Sequence, residues 1–209
     1  MGVDRVVFIV DDDPRMREAL EGLLDSMGIA SMVFGSASEF LAADKPDAVS
    51  CILLDVNLPD LSGLELQERL ARGEHPPIIF ITGHGDIPSS VKAMKAGAID
   101  FLPKPFQQQD LLRAIREAFD REENARKLRA EVAELRARYA HLTPREREVL
   151  PLIIAGMLNK QAAAELGIAE ITCQVHRGQI MRKMAAGSVA ELVRMAARLG
   201  ISPAGQSNV

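Results

Sequence analysis

Four short apolar runs, at residues 6–10, 51–54, 78–81 and 99–102, each meet a polar residue of a distinct kind at or just past their end: Asp11 and Asp12, Asp55, Thr82, and Lys104. Short apolar runs without alternation read as strands buried on both faces. Between them, residues 14–27, 63–72 and 87–96 carry apolar side chains at helical spacing. Strands that alternate with helices build a parallel sheet. Residues 31–35 add a weaker fifth strand. Local chemistry agrees: Asp13 before Pro14 sets an N-cap with proline at the first helical position, and Ser36 with Glu39 has the spacing of a capping box.

In an open parallel sheet the carboxyl ends of the strands share one edge, so Asp11 and Lys104 can meet although 93 positions separate them. Clustered carboxylates repel one another and favour a hard divalent cation. An all-oxygen site with room for water and phosphate suits Mg²⁺ (or Mn²⁺). Asp55 then serves as a carboxylate nucleophile toward phosphorus, Lys104 and the cation stabilise charge on the phosphoryl oxygens, and Thr82 hydrogen-bonds one of them. Each residue alone is an ordinary turn or cap residue. Their recurrence at successive strand ends carries the reading.

At 209 residues the chain exceeds the usual single domain, and 47% hydrophobic with 26% charged residues suits folded, globular units. From 107 to 140 there is no Gly or Pro, and Leu128, Val132, Leu135, Tyr139 and Leu142 recur at alternating spacings of four and three. That pattern predicts a long helix with a short heptad seam, rich elsewhere in Arg and Glu, acting as an exposed connector and a dimerising coiled coil. Residues 143–199 are helical in pattern with breaks at Gly156, Gly167 and Gly187, and Thr143 with Glu146 forms a capping box at their start. The net charge of −4 divides unevenly: 17 Lys plus Arg against 24 Asp plus Glu up to Leu142, net −7, then 8 against 5, net +3. An acidic front and a basic back imply different partners. No apolar run approaches a membrane span, the first residues lack the apolar core of a signal peptide, and the chain is expected in the cytoplasm. Cys51 and Cys173 lie inside apolar or helical patterns without ligand spacing and read as reduced packing residues.

Val10-Asp11-Asp12-Asp13, Leu54-Asp55-Val56-Asn57-Leu58-Pro59, Ile81-Thr82-Gly83-His84-Gly85 and Lys104-Pro105-Phe106 resemble the receiver domain of bacterial two-component response regulators over residues 4–122. The resemblance implies that a sensor histidine kinase phosphorylates Asp55. It also implies that Asp11, Asp12, Asp55 and the Asn57 backbone carbonyl hold Mg²⁺, that Lys104-Pro105 is a cis bond, and that Thr82 and Phe101 form a switch pair. Asp13 stays outside that set, as a cap. A phosphatase or mutase of the haloacid dehalogenase kind also forms an aspartyl-phosphate, but it carries a second carboxylate two residues after the nucleophile, where this chain has Asn57.

Thr143-Pro144-Arg145-Glu146-Arg147-Glu148-Val149-Leu150, then Gly156, Asn159-Lys160-Gln161-Ala162-Ala163 and Ile168-Ala169-Glu170-Ile171-Thr172, resemble the LuxR-type helix-turn-helix. With the receiver ahead of it, the chain is similar to the FixJ/NarL group, and His84-Gly85-Asp86 leans toward FixJ. Residues 160–166 are the expected scaffold helix, 167–169 the turn and 170–184 the recognition helix. The resemblance places Gln174, Val175 and Gly178 at base-reading positions. Lys160, Thr172, Arg177, Arg182 and Lys183 are candidate phosphate contacts. Gln174 stands where the group commonly has Lys and favours adenine over guanine. Met181, Met184 and Met195 read as core.

The expected architecture is therefore α/β, a flavodoxin-like doubly wound five-stranded parallel sheet, plus an all-α four-helix LuxR-type helix-turn-helix domain, joined by a long helix. Its expected parts are a receiver at 1–122, a helical linker at 123–141, a DNA-binding domain at 142–202 with the helix-turn-helix at 157–178, and a disordered tail at 203–209. The expected function is a response regulator that takes a phosphoryl group from its kinase, dimerises, binds double-stranded promoter DNA and activates transcription, with RNA polymerase as a further partner. It is not expected to be an enzyme beyond slow self-dephosphorylation. Two alternatives stand beside it: the phosphatase-like enzyme, and a constitutive DNA-binding protein whose receiver is only structural.

Overall fold

The structure, a computed structural model, describes residues 4–83 and 87–205, which fall into two compact units, Met1–Arg126 and Lys127–Val209. His84, Gly85 and Asp86, and residues 206–209 of the expected tail, lie outside the described residues.

In the first unit β1 (Arg5–Val10), β2 (Ala30–Phe34), β3 (Val49–Asp55), β4 (Ile78–Thr82) and β5 (Asp100–Pro103) form one parallel sheet in the order β2-β1-β3-β4-β5. The uninterrupted apolar runs are explained by burial on both faces. Val6, Phe8 and Val10 of β1 point into a layer with Phe40 of α2 (Ala37–Ala42), Leu66 of α3 (Gly63–Leu70) and Ala93 of α4 (Ile87–Lys95). Val7 and Ile9 point the other way, against Leu20 and Leu24 of α1 (Pro14–Ser26) and Leu111, Ile115 and Phe119 of α5 (Gln108–Ala140). Phe8, Phe34 and Phe40 interlock with ring centroids 5.4–6.3 Å apart. Buried Gln67 donates to the Ala93 carbonyl at 3.1 Å and ties α3 to α4.

The expected cap at Asp13 is present, its carboxylate accepting the Arg15 N–H at 2.9 Å. The expected capping box on α2 is only half formed. Ser36 accepts the Glu39 N–H at 3.1 Å, but the Glu39 carboxylate takes the Gly35 N–H instead of that of Ser36. Asp60, from the loop after β3, supplies what is missing by accepting the Ala37 and Ser38 N–H groups at 3.2 and 2.8 Å.

The second unit holds α6 (Pro144–Ile154), α7 (Asn159–Leu166), α8 (Glu170–Met184) and α9 (Val189–Arg198) around a core of Val149, Leu150, Ile153, Ile180, Met184 and Leu192. The box at the start of α6 is complete: Thr143 accepts the Glu146 N–H at 3.3 Å, and Glu146 accepts that of Thr143 at 2.8 Å. The expected linker is divided between the units. Glu123 pairs with Arg5 at 3.6 Å, and Arg126 donates to the Ala48 carbonyl at 3.2 Å and pairs with Asp47. Farther along α5, Tyr139 packs on the second unit's core, Leu142 joins it, and Leu135 is buried beside Met195. Three of the five seam positions are thus covered by the chain itself, while Leu128 stays 52% exposed. The expected tail also begins later than the sequence suggests. The Ala204 N–H donates to the Pro151 carbonyl at 3.0 Å, and Ala204 packs on the core, because this docking covers apolar surface and satisfies an amide.

Candidate functional site

Asp11 follows the last residue of β1, Asp55 ends β3, Thr82 ends β4, and Lys104 follows β5, so all four stand at the carboxyl edge of the sheet. Asp11 and Asp55 sit on adjacent central strands, at the point where the strand order reverses. The Lys104 ammonium bridges them, 2.7 Å from Asp11 Oδ2 and 2.9 Å from Asp55 Oδ2. The remaining oxygens are held by backbone: Asp11 Oδ1 accepts the Asp13 N–H at 2.9 Å, and Asp55 Oδ1 that of Asn57 at 3.1 Å. The Lys104 N–H donates to the Thr82 carbonyl at 2.7 Å, and the Lys104-Pro105 bond is cis.

Burial sharpens this chemistry. Asp11 and Asp55 are 3% and 7% exposed and Thr82 is buried, whereas Asp12 opens to water. Burial strips water from the Lys104 ammonium and lowers its pKa, but the hydrogen bonds and charges of Asp11 and Asp55 outweigh that and leave it above the ordinary lysine value. Asp11, Asp12 and Asp55 each offer an oxygen within 4.8 Å of the others. An all-oxygen, partly solvated donor set of this kind fits a hard cation. Phe101 is half-buried, with its ring 6.0 Å from that of Phe80.

Three residues around this site escaped the reading of the sequence. Arg17 on α1 donates to the Asp11 carbonyl at 2.6 Å and steadies the turn after β1. Asp60 fastens the loop that follows Asp55 to α2; the Ser38 hydroxyl and amide hold its carboxyl down at about 2. Gly63 lies against the backbone of Asp55 itself. Helical spacing after Asp13 could have flagged Arg17, and the Ser62 cap could have flagged Gly63. A contact spanning 23 residues leaves no local signal for Asp60.

In the second unit the expected helix-turn-helix is present, with Gly167 left-handed (φ 65°) at the end of α7. Ile180 points inward from α8, as do Cys173 and Met184, and Met181 and Met195 pack on the core; the placing of the cysteine and the three methionines agrees with the reading of the sequence. Thr172, Gln174, Val175, Gly178 and Arg182 are exposed on α8, as is Lys160 on α7. Three expected phosphate contacts, Arg177, Lys183 and Arg182, make bonds within the chain, the last to the Gln179 side-chain oxygen one turn before it. Arg177 donates to Asn159 Oδ1 at 3.2 Å, joining α8 to the start of α7. Lys183 lies 2.9 and 2.6 Å from the two Glu146 oxygens, because a carboxylate buried to that extent needs a cation. Burial raises the Glu146 pKa, but Lys183 and the Thr143 amide outweigh it and leave it low. Ile171, not singled out from the sequence, is exposed on the same outward face as Val175.

A parallel sheet whose central strands carry a lysine-bridged pair of aspartates, followed by a helix-turn-helix unit, defines a receiver coupled to a DNA-binding domain. Residues 7–116 match the response regulator receiver domain, and residues 140–196 match the bacterial regulatory proteins of the luxR family. The chain belongs to the two-component response regulators with a LuxR-type domain and is a transcription-regulating member of that family. Nodulation protein W of Bradyrhizobium diazoefficiens is 52% identical, over 94% of this chain and 87% of that one. Transcriptional regulatory protein FixJ of the same species is 43% identical over 93% and 96%. Among solved structures, the response regulator StyR matches with a TM-score of 0.80 and 47% identity, covering 93% of this chain and 99% of that one. Full-length FixJ from B. japonicum matches with 0.55 and 41%, covering 96% and 98%. Receiver domains bind Mg²⁺ through acidic residues, and such a cluster is present. The two domains imply a kinase and DNA as partners in general. Among the described residues no helix is long and apolar enough to cross a membrane.

Proposed function

We propose that Asp55 accepts a phosphoryl group from a sensor histidine kinase and that the modified chain pairs with a second copy and binds promoter DNA. The observation that carries this reading is the Lys104 ammonium bridging Asp55 and Asp11 inside a cluster of three carboxylates. The Asp55 carboxylate oxygen forms the new bond to phosphorus as the phosphorus–nitrogen bond of the kinase's phosphohistidine breaks. Asp11, Asp12, Asp55 and the Asn57 carbonyl would hold Mg²⁺ (or Mn²⁺), which supplies charge neutralisation in the pocket. Lys104, already within 2.9 Å of Asp55, is placed to neutralise a phosphoryl oxygen. Thr82, at the end of the neighbouring strand, donates its hydroxyl to another oxygen, and Phe101 follows it inward as the other half of the switch. Asn57, standing where a phosphatase of this kind has its acid/base carboxylate, supports slow self-hydrolysis rather than turnover.

Phosphorylation reshapes the face formed by residues 87–106, where exposed Val91 and Met94 support its use by a second copy. Leu128 and Val132 are the seam positions left to reinforce that dimer. Residues 1–122 then act as receiver, 123–141 as connector and 142–202 as DNA-binding domain. Base reading falls to Gln174, Val175 and Gly178, and phosphate contacts to Lys160, Thr172 and Arg182. The setting is the cytoplasm and the output is activation, through contact with RNA polymerase.

Incubation with Mg²⁺ and a small acyl phosphate tests this. About one phosphoryl group per chain is expected, with a rise in mass to the dimer by light scattering, and neither in Asp55→Ala. Rapid multiple turnover of the donor, or labelling that survives Asp55→Ala, would contradict it.

A further inference from the structure

Residues Ile171, Val175, Gly178 and Arg182 succeed one another at helical spacing on the side of α8 opposite its buried residues Cys173, Ile180 and Met184. Two features of this outward strip have no account within the chain. Ile171 and Val175 are 66% and 55% exposed, so two branched apolar side chains stand one turn apart in water. Gly178 lies mid-helix, where glycine is weaker than alanine, yet its φ is not positive and an added Cβ would meet nothing within 4 Å. Neither backbone conformation nor packing requires a glycine there. The strip runs from beside Glu170 to the guanidinium of Arg182, which also donates to Gln179 Oε1, in a segment of net charge +3 from Thr143 onward. A polyanion that presents apolar groups in a groove fits both the charge and the apolar pair.

Resting on the DNA-binding reading above, we propose that this strip reads thymine in the major groove. Ile171 and Val175 seat against C5 methyl groups, and Gly178 leaves the gap that lets α8 approach to contact distance. The thymine methyl is the apolar group a base edge offers there, and Gln174, exposed beside the strip, suits the N6 and N7 atoms of adenine.

The test uses the full chain, treated with phosphodonor, to enrich duplexes from a randomised pool. Each thymine of an enriched duplex is then replaced by deoxyuridine, which lacks only the methyl. At one or two positions this weakens wild-type binding by about fourfold per methyl, while a chain carrying Ile171→Ala and Val175→Ala is insensitive to the change. Gly178→Ala binds roughly tenfold more weakly without a lower Tm. If no duplex is enriched, the DNA-binding reading fails and this proposal falls with it. An enriched duplex bound equally well with uracil overturns the thymine reading alone. So does a double variant as sensitive as the wild type, or a Gly178→Ala chain of undiminished affinity.

Discussion

At Gly63 an added Cβ would lie 2.3 Å from the Asp55 carbonyl oxygen, and the Gly63 N–H donates to the Val56 carbonyl at 2.8 Å. Both partners are backbone and cannot rotate aside. Gly63→Ala should therefore cost on the order of 3 kcal/mol and remove phosphoryl acceptance at Asp55; chemical denaturation with a labelling assay checks both. Asp60 gives a pH signature. Its folded pKa of about 2 lies below the ordinary aspartate value, so its contribution is present above roughly pH 4 and is lost as pH falls through about 2. The Tm gap between wild type and Asp60→Asn should be constant above that window and close within it. A gap undiminished at pH 2 would sink the assignment. Lys183→Met should cost the second unit about 2 kcal/mol by leaving the Glu146 carboxylate without its cation. The salt dependence of DNA binding should stay as it was, because Lys183 serves Glu146. At this scale the sequence disclosed that Asp11, Asp55, Thr82 and Lys104 stand at one edge of the sheet, since each sits at the end of a recognisable strand. It could not disclose that Lys183 and Arg177 are engaged, because both partnerships cross between helices.

Elements were more legible than contacts. The parallel sheet and the bounds of α8 follow from continuous apolar runs and from helical spacing, which are local properties of the chain. The six-residue α2 is too short for a periodic signal, and its cap comes from Asp60, far along the sequence. The seam on α5 was visible, but not that Tyr139 and Leu142 turn it toward the chain's own core, because heptad spacing does not say which surface covers it. One strained position closes α8. Ala185 adopts φ 53°, while Arg138 donates to the neighbouring Met184 carbonyl at 3.1 Å. A left-handed conformation costs a residue with a Cβ about 1 kcal/mol. Ala185→Gly should therefore stabilise the second unit by about that amount, read as a Tm raised by a few degrees. An unchanged or lower Tm would show that the strain is not felt there.

Across the molecule, an acidic portion of net charge −7 up to Leu142 precedes a basic one of net charge +3. That excess is modest, so a single copy is expected to bind DNA weakly, and the proposed pairing of two copies would roughly double the phosphate contacts without altering α8. Occupancy of Asp55 is therefore expected to set affinity through the number of copies on the duplex. The most direct measurement is the affinity of the full chain for an enriched duplex over a range of salt, with and without prior treatment by Mg²⁺ and phosphodonor, beside Asp55→Ala. The expected result is binding at least roughly tenfold tighter after treatment, with a steeper salt dependence, and no change in Asp55→Ala. Affinity that is the same before and after treatment, or a gain that Asp55→Ala shares, would contradict the account.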